Sequence, residues 1–178
     1  MKARILGLVA VGLLAGPMAT QAAPIQWTLN NVTFSDQSTA TGSFIFDADT
    51  STYSSVSITT SAAGTVYTTN ELSPFPFGVD ATGVSLVDNF VPNDNLGKPI
   101  VNFDFLSPLT NAGGVVGLLV DFPGFEGECS AADCGSGSIL RQIVTGSVNG
   151  VAVPEPGSIA LLGLGLAGLG LSRRRRAN

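Results

Sequence analysis

Two cysteines, Cys129 and Cys134, are the first residues whose type and spacing could do chemistry. Four residues separate them in the segment ECSAADCG, whereas a redox-active pair usually has two intervening residues. A zinc site would need further ligands, and the chain contains no histidine to supply them. Because the chain ends described below predict export, this pair indicates a disulfide that closes a small surface loop.

Acidic residues gather in several short stretches and could bind a hard cation. Carboxylate oxygens are the ligands that calcium prefers. An EF-hand is excluded for the stretch that begins at Asp47, because its twelfth position is Ile58 instead of glutamate. Aspartate also favours turns and keeps loops solvated, and we prefer this interpretation, with no cofactor. The alternative is a calcium site formed by Asp47, Asp49, Glu126, Glu128 and Asp133.

Catalytic groups are poorly represented. Without histidine the chain cannot form a Ser-His-Asp or Cys-His arrangement. A glycosidase needs two facing carboxylates, and the chain has enough acidic residues to supply such a pair. However, only a few of its side chains are of the types that commonly stack on sugars, namely Trp27 and two tyrosines. We therefore expect a protein that is not an enzyme and keep a secreted polysaccharide hydrolase as an alternative.

The C-terminal tail, residues 151–178, combines three features in a fixed order. Pro154, Glu155 and Pro156 form an extended, helix-resistant segment, since proline fixes φ and lacks an N–H. A Gly/Leu-rich apolar run over residues 158–171 predicts a short transmembrane helix. Its hydrophobic part would be about 20 Å long against a bilayer core of about 30 Å. The tail ends in a basic cluster, Arg173, Arg174, Arg175 and Arg176.

This order of features sets the topology of the precursor. Positive charge beside a span stays on the cytoplasmic side, so the rest of the chain would face away from the cytoplasm. The shortness of the span and its glycines argue against a lasting anchor, although an unprocessed C-terminal anchor is an alternative.

The tail resembles the PEP-CTERM sorting signal of Gram-negative bacteria. That resemblance implies an exosortase, an integral-membrane enzyme similar to a cysteine transpeptidase. It would recognise residues 154–156 and release the helix and the arginines. The resemblance further implies a bacterium that makes extracellular polysaccharide, and delivery of the protein to the cell surface or matrix.

The N-terminus independently predicts export. Lys2 and Arg4 precede an apolar stretch over residues 5–15, and small residues follow up to Ala22. We interpret residues 1–22 as a signal peptide removed after Ala22, because cleavage one residue later would place Pro24 first. The Sec translocon and a signal peptidase are the expected partners, with transient contact to the inner membrane.

Removing both ends exposes a strongly acidic body, residues 23–150. The whole chain has 8 basic and 13 acidic residues. Six basic residues lie in the two ends, which leaves Lys98 and Arg141, and Glu155 belongs to the tail. Two basic against 12 acidic residues give a charge near −10. This excludes nucleic acid as a partner and disfavours anionic polymers unless a cation mediates.

Alternation with a period of two residues recurs in the body and predicts strands. It is clearest over residues 101–105, where Val and Phe alternate with Asn and Asp, and this pattern predicts a half-buried strand. Residues 47–52 suit a hairpin loop, and a bulge at Asn30 and Asn31 would keep Trp27 and Phe34 on the same face. Further strands are predicted over 26–34, 44–46, 56–58, 64–69, 83–90, 115–122 and 138–148.

These strands predict an all-β domain, an antiparallel β-sandwich of about eight strands that is jelly-roll-like. The ten phenylalanines, all in the body, disfavour a disordered linker. Residues 27–60 also resemble a recurrent N-terminal module of secreted PEP-CTERM proteins. That module supports the β prediction and has no established activity.

The sequence thus predicts a non-catalytic protein of the cell surface or extracellular matrix, associated with exopolysaccharide or biofilm matrix. Its precursor would be tethered to the inner membrane, facing the periplasm. A calcium-assisted carbohydrate-binding module is the main alternative.

Overall fold

The computed structural model of the chain describes residues 23–62, 64–74, 78–153 and 163–165. The predicted signal peptide, the Pro-Glu-Pro segment at 154–156 and the arginines at 173–176 lie outside the described residues. Of the predicted apolar helix, residues 163–165 are described and are helical. Within the described ranges, no helix has the length and apolar character needed to cross a bilayer.

Over the described residues of the body, the regular structure consists of ten strands and one short 3-10 helix, Thr69–Glu71. The strands are β1 (Ile25–Phe34), β2 (Thr39–Asp47), β3 (Thr52–Thr60), β4 (Val66–Thr68), β5 (Val79–Asp80), β6 (Gly83–Val87), β7 (Pro99–Asp104), β8 (Gly114–Gly117), β9 (Phe125–Cys129) and β10 (Gly137–Ala152).

All ten strands belong to one curled antiparallel sheet in the order β4-β3-β2-β1-β10-β9-β7-β6-β5, with β8 also paired to β10. Strand β10 is central to the sheet, because it pairs with three other strands. Its first half pairs with β9, and its second half lies between β1 and β8. A bridge between Leu72 and Leu86 joins the two far ends of the curl. The predicted all-β antiparallel fold is confirmed, and its two layers are the halves of a single sheet.

The predicted irregularity in β1 is present. Trp27 and Leu29 are buried with one parity, whereas Val32 and Phe34 are buried with the other. Asn31 between them has a φ of 51°, and the register with both neighbouring strands shifts at this point. The bulge therefore keeps four large apolar side chains on the core side of one strand.

The main core lies between the two halves of the sheet. Its aromatic residues contact one another across β2 and β3, where the ring centroids of Phe46 and Tyr53 are 4.7 Å apart and those of Phe44 and Tyr53 are 5.2 Å apart. The largest fully buried members are Trp27, Tyr67, Phe34, Phe44, Phe46 and Phe103. The hairpin loop predicted between β2 and β3 is confirmed, because β2 ends at Asp47 and β3 begins at Thr52.

Strand β7 differs from the prediction of a half-buried strand. Its residues from Ile100 to Phe103 are all buried, including Asn102. A second, smaller cluster covers the outer face here and consists of Val87, Ile100, Phe125, Cys129 and Cys134. The Asn102 side chain is satisfied in this dry position, since its Oδ1 accepts from Ser85 Oγ at 2.6 Å and its Nδ2 donates to the Pro123 carbonyl at 2.7 Å.

Candidate functional site

The disulfide predicted from the sequence is present. Cys129 and Cys134 are bonded, with 4.8 Å between their Cα atoms, and both are buried in the outer cluster. The loop they close is also held by its backbone, because Ser130 N donates to Ser136 O and Cys134 N donates to Ala131 O. The bond therefore fixes a short loop against the outer face of the sheet, directly after β9.

A second loop, residues 88–98, is fastened to the disulfide loop by Asn95. This residue is fully buried, and both its backbone N and its Nδ2 donate to Ala132 O, at 2.8 and 3.1 Å. Its Oδ1 accepts from Val91 N at 2.9 Å. Lys98 Nζ donates to Asn89 O at 2.7 Å, so this cation also stabilises the loop. The two loops thus form one hydrogen-bonded unit.

Two adjacent cavities open beside this unit and share the side chain of Phe90; together we call them the Phe90 groove. One has a volume of about 320 Å³ and is lined by Thr68, Asn70, Glu71, Asn89, Phe90 and Val91. The other has a volume of about 260 Å³ and is lined by Pro74, Phe90, Pro92, Asn93 and Asp133. Ligand pockets commonly have volumes of roughly 300–1,000 Å³, so the first cavity lies at the lower limit of that range and the second lies just below it.

The walls of the Phe90 groove are held in place by local hydrogen bonds. Glu71 accepts from the backbone N of Thr68 and, at 3.4 Å, from that of Asn89. Asn89 and Asn93 have φ values of 47° and 61°, in the left-handed region that asparagine tolerates better than most residues. Phe90 itself is partly buried and packs against the outer cluster. Sequence reasoning missed this groove, because its residues come from three segments that are distant in the chain.

The acidic residues proposed as calcium ligands occupy different places. Asp47 belongs to the β2–β3 hairpin, where it accepts from Asp49 N, Thr50 Oγ1 and Asn111 Nδ2. The hydrogen bond from Asn111, followed by the one from the backbone of Asp49, lowers the pKa of this carboxyl. Glu128 and Asp133 are exposed near the disulfide loop. Over the ranges that the structure covers, no three such side chains are grouped closely enough to hold a metal ion.

The remaining calcium candidate, Glu126, is buried and belongs to a different arrangement. Its Oε1 accepts from Thr60 Oγ1 at 2.7 Å and its Oε2 from Arg141 Nε at 2.8 Å. Arg141 also pairs with Asp36 at 3.0 Å. This set joins the β1–β2 turn, β3, β9 and β10. The two cations of the body, Lys98 and Arg141, are therefore both engaged in internal contacts.

The aromatic side chains first considered for sugar stacking lie in the core. Trp27 and Tyr67 are fully buried, and Tyr53 is nearly so. Tyr53 donates to the Asp80 carbonyl at 2.7 Å, and burial raises the pKa of both tyrosines. None of these three rings is available to a polysaccharide, so any stacking ring must be a phenylalanine.

The body ends where the tail begins. Strand β10 runs to Ala152, which pairs with Ile25, and Val153 N donates to Pro24 O at 3.1 Å. The first and last residues of the folded body are therefore neighbours. Pro154 follows Val153 directly, so the body and the Pro-Glu-Pro segment are joined without an intervening linker.

Comparison with known proteins identifies the tail. A family model described as the PEP-CTERM protein-sorting motif matches residues 152–176. No curated protein and no solved structure matches the chain. The resemblance of the tail is confirmed, whereas that of residues 27–60 to a secreted module stays a prediction. The motif indicates an exported protein that is anchored transiently at the membrane and sorted by an exosortase.

Proposed function

We propose that the body is a non-catalytic component of the cell surface or extracellular matrix, associated with exopolysaccharide. The observation that carries this proposal is the sorting motif, which begins at the last residue of β10. A tag attached so closely makes the β-body itself the delivered cargo. An exosortase would act near residues 154–156 and leave the body with a short C-terminal extension.

The chemistry of the body supports a role without catalysis. The chain lacks histidine, and its two body cations are held by internal hydrogen bonds and ion pairs. Trp27, Tyr53 and Tyr67 serve the core. The surface of the body is acidic and its β-structure is held by internal contacts. Such a surface suits binding and structural roles.

The route follows from the two ends of the chain. A signal peptide over residues 1–22 would direct the chain to the Sec translocon and be removed by signal peptidase. The apolar helix and the arginines would then hold the precursor in the inner membrane, with the body in the periplasm. Because Pro24 and Val153 are hydrogen-bonded, both processing sites would lie at the same corner of the body.

Mass spectrometry of the protein recovered from the secretion fraction tests the proposal. We expect a product that starts at Ala23 and has lost Arg173, Arg174, Arg175 and Arg176. Replacing Pro154, Glu155 and Pro156 with alanine should leave the arginines in place and keep the chain in the membrane fraction. Pro108→Ala, at an exposed proline of the body outside the Phe90 groove, is the control and should be processed normally. Secreted wild-type protein that retains its arginines would refute exosortase processing.

A further inference from the structure

The Phe90 groove combines the side chains that recognise an uncharged, hydroxyl-rich ligand. Its polar lining is dominated by amides and carboxylates, namely Asn70, Glu71, Asn89, Asn93 and Asp133. Amides both donate and accept hydrogen bonds, and carboxylates accept them, so together they match the hydroxyl groups of a sugar. The three asparagines are exposed. Asn89 Nδ2 donates to Asp88 Oδ1 at 3.0 Å, which leaves its Oδ1 as an acceptor, and no described hydrogen bond uses the side-chain amides of Asn70 and Asn93.

Phe90 supplies the apolar contact that such a ligand needs. A pyranose ring has a C–H-rich face, and burying that face on an aromatic ring removes apolar surface from water. Phe90 lines both cavities, so a ligand longer than one sugar unit would contact it while extending to either side. A chain of sugars fits this two-part shape better than a single small molecule does.

The groove is also preorganised. The disulfide, Asn95 and Lys98 hold the wall formed by residues 89–93, and Glu71 ties that wall to the 3-10 helix. A site that is already ordered loses little conformational freedom when it binds. Both the disulfide and Lys98 contact this outer region, and neither belongs to the main core.

Charge narrows the class of sugar polymer. The body is near −10, with 2 basic and 12 acidic residues. Glu71 and Asp133 lie in the groove, and neither body cation lines it. Arg141 is paired with Glu126 and Asp36, and Lys98 donates to the backbone carbonyl of Asn89 in the groove wall. A polyuronate or sulfated polymer would meet like charge, which is costly at short distance. A neutral polymer meets no such repulsion.

We propose that the Phe90 groove binds a neutral polysaccharide, with Phe90 as the stacking ring and Asn70, Asn89 and Asn93 as hydroxyl-binding groups. This inference rests on the proposed function, because it names the matrix component that the exported body would hold. It requires no metal ion.

Isothermal titration with neutral hexasaccharides tests the inference. The full chain is purified in a detergent without a sugar headgroup and titrated with β-1,3- and β-1,4-linked glucohexaose, mannohexaose and chitohexaose, in the presence of EDTA. We expect at least one of these to bind and an alginate hexamer not to bind. Phe90→Leu keeps an apolar side chain against the outer cluster but removes the ring, and it should weaken binding by at least about tenfold, equivalent to about 1.4 kcal/mol.

Matched variants separate binding from folding. Asn70→Ala should weaken binding by several fold with an unchanged melting temperature, since no described hydrogen bond of the body depends on its side chain. Phe122→Leu and Asn149→Ala alter exposed residues outside the groove and should bind like the wild type. Wild-type affinity in both Phe90→Leu and Asn70→Ala would overturn the inference. So would equal binding of the alginate hexamer, or no binding of any neutral hexasaccharide at millimolar concentration.

The outcome is independent of the sorting experiment. A chain that is cleaved at residues 154–156 and secreted, yet binds no sugar, would refute the groove and leave the proposed delivery intact. A chain that binds neutral sugar but keeps its arginines would do the reverse.

Discussion

At the scale of single residues, Arg141 connects distant parts of the chain through two ion pairs. It is one of two cations in an acidic body, and it contacts a fully buried carboxylate and a second carboxylate at the surface. A buried ion pair contributes little over an apolar replacement, but removing one partner leaves the other charge uncompensated. The main structural role of Arg141 is therefore to neutralise the buried carboxylate of Glu126 in β9.

Substituting Arg141 with methionine should lower the free energy of unfolding by about 3 kcal/mol or more, because Glu126 would remain buried without its cation. The double variant Glu126→Met and Arg141→Met should recover much of that loss. Urea denaturation of the wild type, both single variants and the double variant gives the four values needed. Additive losses in the double variant would contradict the pairing.

Asp36 makes the folded state sensitive to acid. Hydrogen bonds from the side chain and backbone of Ser38, with a smaller contribution from Arg141, lower the pKa of this carboxyl from 3.8 to about 2. A lowered pKa stabilises the folded state above pH 4, and that contribution is lost as the pH falls from about 4 to about 2.

We expect Asp36→Asn to flatten the decline of the melting temperature across this pH range and to have a nearly constant effect at neutral pH. Thermal denaturation followed by circular dichroism at a series of pH values measures the change. An equally steep acid decline in wild type and variant would show that the Asp36 carboxylate is not the responsible group.

At the scale of elements, the β1 bulge and the outer face of β7 show what sequence reasoning reaches. The parity change between Trp27 and Phe34 was visible as a pattern, because both pairs of large apolar residues had to face one core. Asn102 alternates with apolar residues, which predicts an exposed side chain, yet a cluster formed by distant loops covers it. Strand β9 was missed for a related reason. Its two glutamates resemble a loop, and only pairing with Arg141 explains a buried carboxylate there.

We expect the disulfide to contribute modestly to the free energy of unfolding of the body. Its effect on the local order of the Phe90 groove should be larger. Closing so short a loop contributes about 2 kcal/mol through the entropy of the unfolded chain. We expect the double variant Cys129→Ala and Cys134→Ala to remain folded, with a loss of about this size in the free energy of unfolding.

Backbone hydrogen exchange should rise mainly over residues 88–98 and 129–136 in this variant, because Asn95 and Gly97 donate to the disulfide loop. Exchange in β1 to β3 should stay at the wild-type level and serves as the internal control. Equal acceleration in both regions would mean that the bond supports the whole fold instead of the two loops.

At the scale of the whole molecule, the acidic surface is spread out instead of concentrated. The five carboxylates considered for calcium are divided among the β2–β3 hairpin, the Arg141 ion pair and the disulfide loop. The motif at the C-terminus was legible from sequence because it is linear. The groove was not, since it is assembled from residues 68–74, 89–93 and 133 only after folding.

We therefore expect the melting temperature of the full chain to be the same in millimolar calcium and in EDTA. Occupation of a site at 100 times its Kd would add about 2.7 kcal/mol and raise the melting temperature by several degrees. Magnesium at the same concentration controls for general screening of the negative charge. A calcium-specific rise would instead support a metal site among these carboxylates.

The position of β10 in the sheet has a consequence for the timing of export. The strand that joins both halves of the sheet is the last one made, and its partner β1 is the first. Contacts between segments so distant in sequence form late and slowly. On the proposed export route, nearly the whole body would therefore have to cross the membrane before β10 could pair with β1 and close the sheet. Under that proposal, the last step of folding would take place while the precursor is still tethered by its tail.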